Sequence, residues 1–168
     1  MVMKGGKMKF EHLVKMFDER ATQPLISRRQ LWLGLVLRAE DPCRFDENIS
    51  EARILFYDQQ EMQREVVFGS LVVKEFVRFV ADSQVVYETL PSEHYTASKL
   101  AMCIEEPQPG HLFIRFVYEN ELPDGPVTSD TNDPGYYVPY LKSAYQQADT
   151  LTAQTILTLA REGVLGSP

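Results

Sequence analysis

The sequence has few cysteines, no long hydrophobic run and no excess of basic residues. Cys43 and Cys103 are its only cysteines and lack the C-x-x-C spacing of zinc and redox sites, so we expect two buried, reduced thiols. No stretch approaches the roughly 20 apolar residues that span a bilayer. The first ten residues lack the apolar segment of a signal peptide. These absences predict a cytoplasmic protein without a membrane span.

Acidic residues outnumber basic ones. The 168 residues include 17 Lys and Arg against 24 Asp and Glu, which gives a net charge of -7. A surface of this sign repels phosphate backbones, so nucleic acid is not expected as a partner. The hydrophobic fraction of 44% and the length are typical of one globular domain. We predict a single domain over residues 7–163, with flexible termini at 1–6 and 164–168.

The motifs of common enzymes and cofactor sites are also missing. There is no G-x-S-x-G elbow, no phosphate-binding glycine-rich loop and no Rossmann fingerprint. His12, His94 and His111 lie on separate predicted elements and lack the i, i+4 spacing of zinc ligands. We therefore predict no metal and no cofactor, and we assign no catalytic residue. These absences weigh against an enzyme while leaving one open.

The N-terminal third predicts one strand and two short helices. Residues 7–16 have the composition of a strand. Ser27 and Gln30 then form a capping box before a mostly apolar helix over residues 28–40. Asp41 and Pro42 end that helix and begin a second short one, which we expect to run to about Asn48.

The middle of the chain predicts an antiparallel meander. Strand-length segments rich in β-branched and aromatic residues follow one another with short turns between them. Connections this short cannot hold crossover helices, so neighbouring strands must be antiparallel. The six segments are 52–57, 62–68, 71–80, 84–90, 97–105 and 111–119.

One hairpin in the meander has a predictable register. Gly69 begins a two-residue turn, and glycine in the first position suits type II′. Val66 then faces Val73, and Arg64 faces Glu75. We assign this face to the interior. There the Arg64–Glu75 pair either orients a ligand or is a structural ion pair.

The last third combines a long loop with a long helix. Residues 123–135 are rich in Pro, Gly and Asp, and a loop of this length hints at a functional lid. Residues 139–162 predict a helix of about 36 Å, long enough to cross a sheet. Gly163 fits the position just past its end. The predicted buried stripe of this helix is Tyr137, Leu141, Ala144, Ala148, Leu151, Thr155 and Leu159.

Four segments, together with the order of elements, resemble a known family. KFEHLV, SRRQLWLGLVLRAEDP, REVVFGSLVVKEFVRF and LKSAYQQADT are similar to the AtaL-like branch of the START-like or SRPBCC superfamily, a domain family of unknown function. The resemblance implies the α+β helix-grip fold of the birch-pollen allergens. This fold has a curved antiparallel sheet of about seven strands, two short helices after the first strand and a long C-terminal helix across the sheet. In related branches the cavity between sheet and helix holds lipids, sterols, polyketides or plant hormones, and some relatives are cyclases or aromatases.

We therefore expect a binding or carrier protein for a small hydrophobic molecule that is lipid-like, aromatic or polyketide-like. The alternative is an enzyme of the cyclase, dehydratase or isomerase type acting in the same cavity, with Arg64, Glu75 and tyrosines moving protons. Formation of a homodimer is left open. The predicted ligand-binding residues are Trp32, Phe56, Arg64, Val66, Phe68, Val73, Glu75, Val77, Tyr87, Met102, Ile114, Phe116, Tyr118, Tyr137, Leu141, Tyr145 and Ala148.

Overall fold

A computed structural model describes residues 7–126 and 128–168. The chain begins with strand β1 (Met8–Lys15), helix α1 (Arg28–Glu40) and one 3-10 turn (Pro42–Arg44). Six strands follow, and helix α2 (Val138–Arg161) comes after them. The six strands are β2 (Glu51–Tyr57), β3 (Glu61–Phe68), β4 (Leu71–Val80), β5 (Gln84–Thr89), β6 (Ser98–Glu105) and β7 (Phe113–Asn120). The predicted α+β helix-grip architecture is confirmed.

All seven strands form one antiparallel sheet in the order β1-β7-β6-β5-β4-β3-β2. Strands β2 to β7 form the predicted meander, and β1 pairs with β7. In the β3–β4 hairpin Arg64 stands opposite Glu75 and Val66 opposite Val73, and Gly69 has a φ of 61°. The predicted register of this hairpin is therefore confirmed.

The helix ends follow from local hydrogen bonding. At the start of α1 the Ser27 hydroxyl accepts from the Gln30 amide at 3.1 Å, and the Gln30 side-chain oxygen accepts from the Ser27 amide at 3.0 Å. At the end of α2 Gly163 has a φ of 80°, a conformation that glycine adopts at little cost. Both predicted boundaries are confirmed.

The helix-facing side of the sheet has two differently built regions. One is solid and apolar, and we call it the packed end. It is formed by the sheet residues Phe79, Val85, Met102, Ile114 and Phe116 together with Leu31, Leu35 and Ile156 from the helices. The other, which we call the cavity end, is displaced along the strands. Its sheet residues are Arg64, Glu75, Tyr87, Thr89, Leu100 and Tyr118.

Helices α1 and α2 approach each other closely at the packed end. A Cβ atom added at Gly34 would lie only 2.7 Å from Cγ2 of Ile156, so this position has no room for a side chain. Ile156 itself is fully buried. The close approach holds the two helices together over the packed end of the sheet.

The second helix is much shorter than predicted. Only Pro42–Arg44 is helical, as a single 3-10 turn. The Asp46 side chain accepts from the Asn48 amide at 2.9 Å, which offers the backbone a turn in place of a continued helix. Cys43 in this turn is exposed and Cys103 is only partly buried, so the expectation of two buried thiols is also wrong.

Between residues 148 and 156 the buried stripe of α2 lies one residue later than predicted, whereas Leu159 is buried as predicted. Ala144 and Ala148 are exposed, whereas Asp149 is only 1% exposed. A carboxylate occupies the buried stripe because it has hydrogen-bond partners in the sheet, as described below. The buried residues of α2 are Val138, Asp149, Thr152, Ala153, Ile156 and Leu159.

The two ends of the predicted domain differ in what the structure describes. The predicted flexible residues 1–6 lie outside the described residues. After α2, Leu165 is buried, and the Gly166 carbonyl accepts from the Gln30 side chain at 3.0 Å. The boundary at residue 163 stays a prediction, and these contacts argue for placing it later. Within the described part of the chain, no helix is long and apolar enough to cross a membrane.

Candidate functional site

A cavity of about 220 Å³ lies at the cavity end of the sheet. Arg38 near the end of α1 contributes one wall, and Tyr145 of α2 contributes another. Ser98 and Lys99, both exposed, form its rim. The remaining lining residues are Pro42, Phe45, Asp46, Ile49, Arg64, Phe68, Glu75, Tyr87, Thr89, Leu100, Tyr118 and Glu119.

Of the concavities that are larger but more open to solvent, two have more than twice this volume. One, of about 480 Å³, lies at the ends of β5, β6 and β7 and has Lys7 and Glu121 among its lining. The other, of about 580 Å³, is a surface groove between Leu25 and the last turns of α2. We take the 220 Å³ cavity as the candidate site because it alone of the three lies beside the buried charged and tyrosine side chains described next.

Arg64, which is buried, and Glu75, which is partly buried, form an ion pair in the cavity wall. Nε and one terminal nitrogen of Arg64 donate to the same carboxylate oxygen of Glu75 at 3.1 and 2.8 Å. The other terminal nitrogen donates to the Ala39 carbonyl, on α1, at 2.6 Å. Because Arg64 is only 3% exposed, these three hydrogen bonds satisfy a buried cation and tie α1 to the sheet.

Arg38 and Tyr87 carry polar atoms without partners. The Nε atom of Arg38 and the hydroxyl of Tyr87 are both buried and lack a hydrogen-bond partner in the described structure. The Tyr87 ring lies between two guanidinium groups, with Cζ of Arg38 at 5.2 Å and Cζ of Arg64 at 5.1 Å from the ring centre. The aromatic ring thus holds both cations in place.

The Arg38 guanidinium keeps its charge in this environment. Burial lowers the pKa of Arg38, but Tyr87, and after it Tyr118 and Glu75, act in the opposite direction and raise the pKa above its ordinary value. The cavity wall therefore contains a positive charge that no ion pair in the described part of the chain neutralises.

A second polar cluster connects α2 to the sheet. The Tyr118 hydroxyl donates to one oxygen of Asp149, and Nδ1 of His12 lies 3.1 Å from the other. The rings of Tyr118 and Tyr145 stack at 3.8 Å, only 7° from parallel. These contacts give the Asp149 carboxylate a partner on each oxygen, and they position Tyr118 against the cavity.

Burial governs the proton affinities in this cluster. It raises the pKa of Asp149, while the hydrogen bonds from Tyr118 and His12 oppose this effect. Burial, followed by the charge of Asp149, raises the pKa of Tyr118 well above its ordinary value. The Tyr118 hydroxyl therefore keeps its proton and donates it in the hydrogen bond to Asp149.

The structure brings only part of the predicted ligand-binding set to the cavity. Arg64, Phe68, Glu75, Tyr87, Tyr118 and Tyr145 line it. Val77, Met102, Ile114 and Phe116 belong to the solid core, and Trp32 and Leu141 pack against that core. Val66 and Val73 are buried on the same face of the hairpin but do not line the cavity.

Three predicted ligand-binding residues lie away from the cavity. Phe56 is 47% exposed, and a register shift in β2 between Ile54 and Phe56 changes which side chains face inward there. Tyr137 is 58% exposed at the start of α2. Ala148 is exposed because Asp149 occupies the inward position beside it. The loop before α2, predicted as a lid, contributes no described residue to the cavity lining.

Sequence reasoning missed three polar residues, Arg38, His12 and Asp149. Arg38 lies three residues after Leu35 and seven after Leu31, so helical spacing alone puts it on the buried face of α1. Asp149 follows Tyr145 by four residues in the same way. Among the described residues, no group of three or more His, Cys, Asp or Glu is arranged to hold a metal ion.

Solved structures share this fold at low sequence identity. The aromatase/cyclase Zhui from Streptomyces sp. R1128 is 11% identical, with a TM-score of 0.62 over 95% of this chain and 96% of that one. The protein named Ara h 8.0201 is 12% identical, with a TM-score of 0.60 over 91% of this chain and 99% of that one. The di-domain ARO/CYC StfQ from the steffimycin biosynthetic pathway is 8% identical, with a TM-score of 0.68, and this chain spans about half of it, 52%. At these identities the likeness shows the fold alone.

Sequence comparison gives the family. No curated protein matches the chain significantly. One family model does, described as AtaL, acetylaranotin biosynthesis cluster protein L, and it matches residues 15–163. Because this match covers far more than half of the sequence, and agrees with the resemblance of its segments, the chain belongs to the AtaL family.

Proposed function

We propose that this protein binds a small, largely apolar aromatic molecule in the cavity between its sheet and its helices. The observation that carries the proposal is the 220 Å³ cavity itself, because apolar and aromatic side chains make up much of its wall. Some of the polar groups in that wall are fixed in position, Arg64 and Glu75 by their ion pair and Tyr118 by its stacking on Tyr145. Fixed polar groups in a partly apolar wall are the arrangement of a small-molecule site.

The cavity volume limits the size of the ligand. An apolar cavity of about 150 Å³ admits benzene, so 220 Å³ suits one or two fused rings with small substituents. Sites for drug-sized ligands start at roughly 300 Å³. A sterol or a two-chain lipid therefore does not fit this state of the protein, and of the predicted ligand classes we favour the aromatic one.

The comparisons support a small-molecule role. The family description refers to a biosynthesis cluster, and two of the similar structures are named as aromatase/cyclases or come from a biosynthetic pathway. Binding of an aromatic intermediate or product is consistent with both. We keep a carrier or sequestering role as the first proposal because no catalytic motif was found in the sequence.

The proposal can be tested by filling the cavity. Leu100 lines the cavity from β6, so Leu100→Trp would occupy ligand space. Val72→Trp is the matched control, because Val72 is exposed on the opposite face of the sheet. We expect isothermal titration calorimetry to show binding of 2-naphthamide to the unchanged protein, a loss of about tenfold or more in Leu100→Trp, and no change in Val72→Trp. Equal affinities in all three proteins would reject the cavity as the site.

A second candidate function is supported by the Tyr118–Asp149 hydrogen bond. A tyrosine that lines a cavity and donates to a buried carboxylate could move a proton in a cyclase, dehydratase or isomerase reaction. The hypothesis that Glu75 is the base has less support, because one of its oxygens already accepts twice from Arg64. With an identified substrate, Tyr118→Phe would abolish turnover under the first hypothesis, and Glu75→Gln would do so under the second.

Cytoplasmic residence, the absence of a nucleic-acid partner and homodimer formation stay predictions. Sedimentation of the purified protein over a range of concentrations would decide the oligomeric state.

A further inference from the structure

The unpartnered atoms of Arg38 and Tyr87 indicate what kind of ligand the cavity takes. Tyr87 is only 6% exposed, and its hydroxyl has no hydrogen-bond partner in the described structure. Nε of Arg38 is buried without a partner as well, and both side chains line the cavity. Buried polar groups are nearly always satisfied, so a pair of orphaned groups facing one cavity requires an explanation.

The nearby acidic groups do not provide the missing partner. Glu75 accepts from Arg64, and the two oxygens of Asp149 are engaged by Tyr118 and His12. No acidic side chain in the described ranges lies within ion-pair distance of Arg38. The Tyr87 hydroxyl lies close enough to Arg38 to raise its pKa, but it is not in hydrogen-bond geometry with Nε. A guanidinium can only donate hydrogen bonds, so the group that satisfies Nε of Arg38 has to be an acceptor.

Close to the Tyr87 ring the charge of the wall favours an anionic acceptor, whereas over the whole lining three cations (Arg38, Arg64 and Lys99) balance three carboxylates (Asp46, Glu75 and Glu119). Two guanidinium groups flank the Tyr87 ring, and Glu75 neutralises only that of Arg64. Arg38 is partly shielded from solvent, and a shielded positive charge attracts an anion more strongly than the same charge in bulk water. The Tyr87 hydroxyl can donate a further hydrogen bond to the same anion.

We propose that the natural ligand is an aromatic acid whose carboxylate lies between the Arg38 guanidinium and the Tyr87 hydroxyl. Its ring occupies the remainder of the cavity, toward Leu100 and the stacked pair of Tyr118 and Tyr145. This inference rests on the proposed function, since it specifies the ligand of the same cavity. The two ideas can nevertheless fail separately.

The test compares two compounds of the same shape, 2-naphthoate and 2-naphthamide, by isothermal titration calorimetry at pH 7. The compounds differ in charge but hardly in size. We expect the unchanged protein to bind 2-naphthoate about tenfold or more tightly than 2-naphthamide. In Arg38→Met we expect this preference to fall to about twofold or less, since the cation is lost while the length of the side chain is kept. Tyr87→Phe should weaken 2-naphthoate binding several-fold and keep part of the preference.

Arg78→Met is the matched control, because Arg78 is exposed on the other face of the sheet and its removal changes the net charge equally. Its preference for 2-naphthoate should equal that of the unchanged protein. If 2-naphthamide binds but 2-naphthoate binds no better, or if Arg38→Met keeps the full preference, ordered water satisfies Arg38 and the inference is wrong while the proposed function stands. If neither compound binds, the proposed function fails and the inference fails with it.

Discussion

The packed end and the cavity end are neighbours on one sheet but are built in opposite ways. Met102 and Leu100 lie two residues apart on β6 and face the same side. Met102 is fully buried among apolar side chains, whereas Leu100 is half-buried in a cavity wall that also contains Arg38 and Arg64. We infer that the packed end contributes mainly to stability, whereas the cavity end, where we propose binding, gives up part of that stability.

Helix α1 belongs to both regions. Gly34 and Leu35 contact the packed end, and Gly34 lets Ile156 of α2 approach the α1 backbone. One turn later Arg38 and Ala39 reach the cavity end, where Ala39 accepts from Arg64. Because α1 packs in the core, its position there also fixes the position of Arg38 and Ala39 at the cavity end.

The largest expected effect comes from breaking the ion pair at the cavity end. Arg64→Met leaves the Glu75 carboxylate and the Ala39 carbonyl without their donor. Removing one partner of a buried pair costs about 3–5 kcal/mol, so we expect a loss of this size in the free energy of unfolding measured with urea. The exposed control Arg78→Met should lose about 0–1 kcal/mol.

A double variant sharpens this result. Arg64→Met combined with Glu75→Met removes the unpaired charge as well as the cation, so part of the lost stability should return. If Arg64→Met were no less stable than the Arg78→Met control, the ion pair would not contribute to folding, and its role would have to be sought in ligand binding alone.

The next largest expected effect is the difference in stability between alanine variants of Met102 and Leu100, which lie on the same strand. Met102→Ala opens a void in the packed end and should cost about 2–5 kcal/mol. Leu100→Ala enlarges a cavity that already exists, so its cost should lie at or below the lower limit of that range, about 2 kcal/mol. Thermal and urea unfolding of the two variants give the difference directly. Equal losses would show that the cavity end is packed as tightly as the rest.

Much of the fold could be predicted because it follows from local rules. The capping box at Ser27 set the start of α1, and Gly69 set the register that placed Arg64 opposite Glu75. Both features depend on residues close together in the sequence, where spacing determines which groups can meet.

The cavity was harder to predict because long-range partners decide which side chains are buried. Asp149 lies inward only because Tyr118 and His12, distant in sequence, provide hydrogen bonds to it. A prediction that puts only apolar side chains on the buried face selects Ala148 instead of Asp149. The predicted stripe is therefore one residue too early at this point. Phe116 and Met102 likewise fill part of the space beneath α2. Their packing depends on residues from several distant segments, so it cannot be predicted from one segment alone.

The smallest expected effect is a pH dependence of stability, which comes from Asp149 in its cluster with Tyr118 and His12. The pKa of Asp149 is raised by burial above its value in the unfolded chain. Between these two values the folded protein binds more protons than the unfolded chain, so the free energy of unfolding falls as pH rises through the interval. One carboxyl can contribute at most about 1.4 kcal/mol per pH unit to this fall.

Asp149→Asn removes the titrating group, so the stability of the unchanged protein relative to this variant should decline from acidic pH upward. Urea unfolding between about pH 3.5 and 5.5 covers the range just above the ordinary pKa of an aspartate, where this decline begins. Tyr118→Phe keeps the carboxyl but removes a hydrogen bond that lowers its pKa, so in this variant the decline should extend to higher pH. Parallel stability curves for the unchanged protein and Asp149→Asn would mean that the hydrogen bonds from Tyr118 and His12 offset the burial of Asp149 completely. The polar cluster would then fix α2 on the sheet without any penalty at neutral pH.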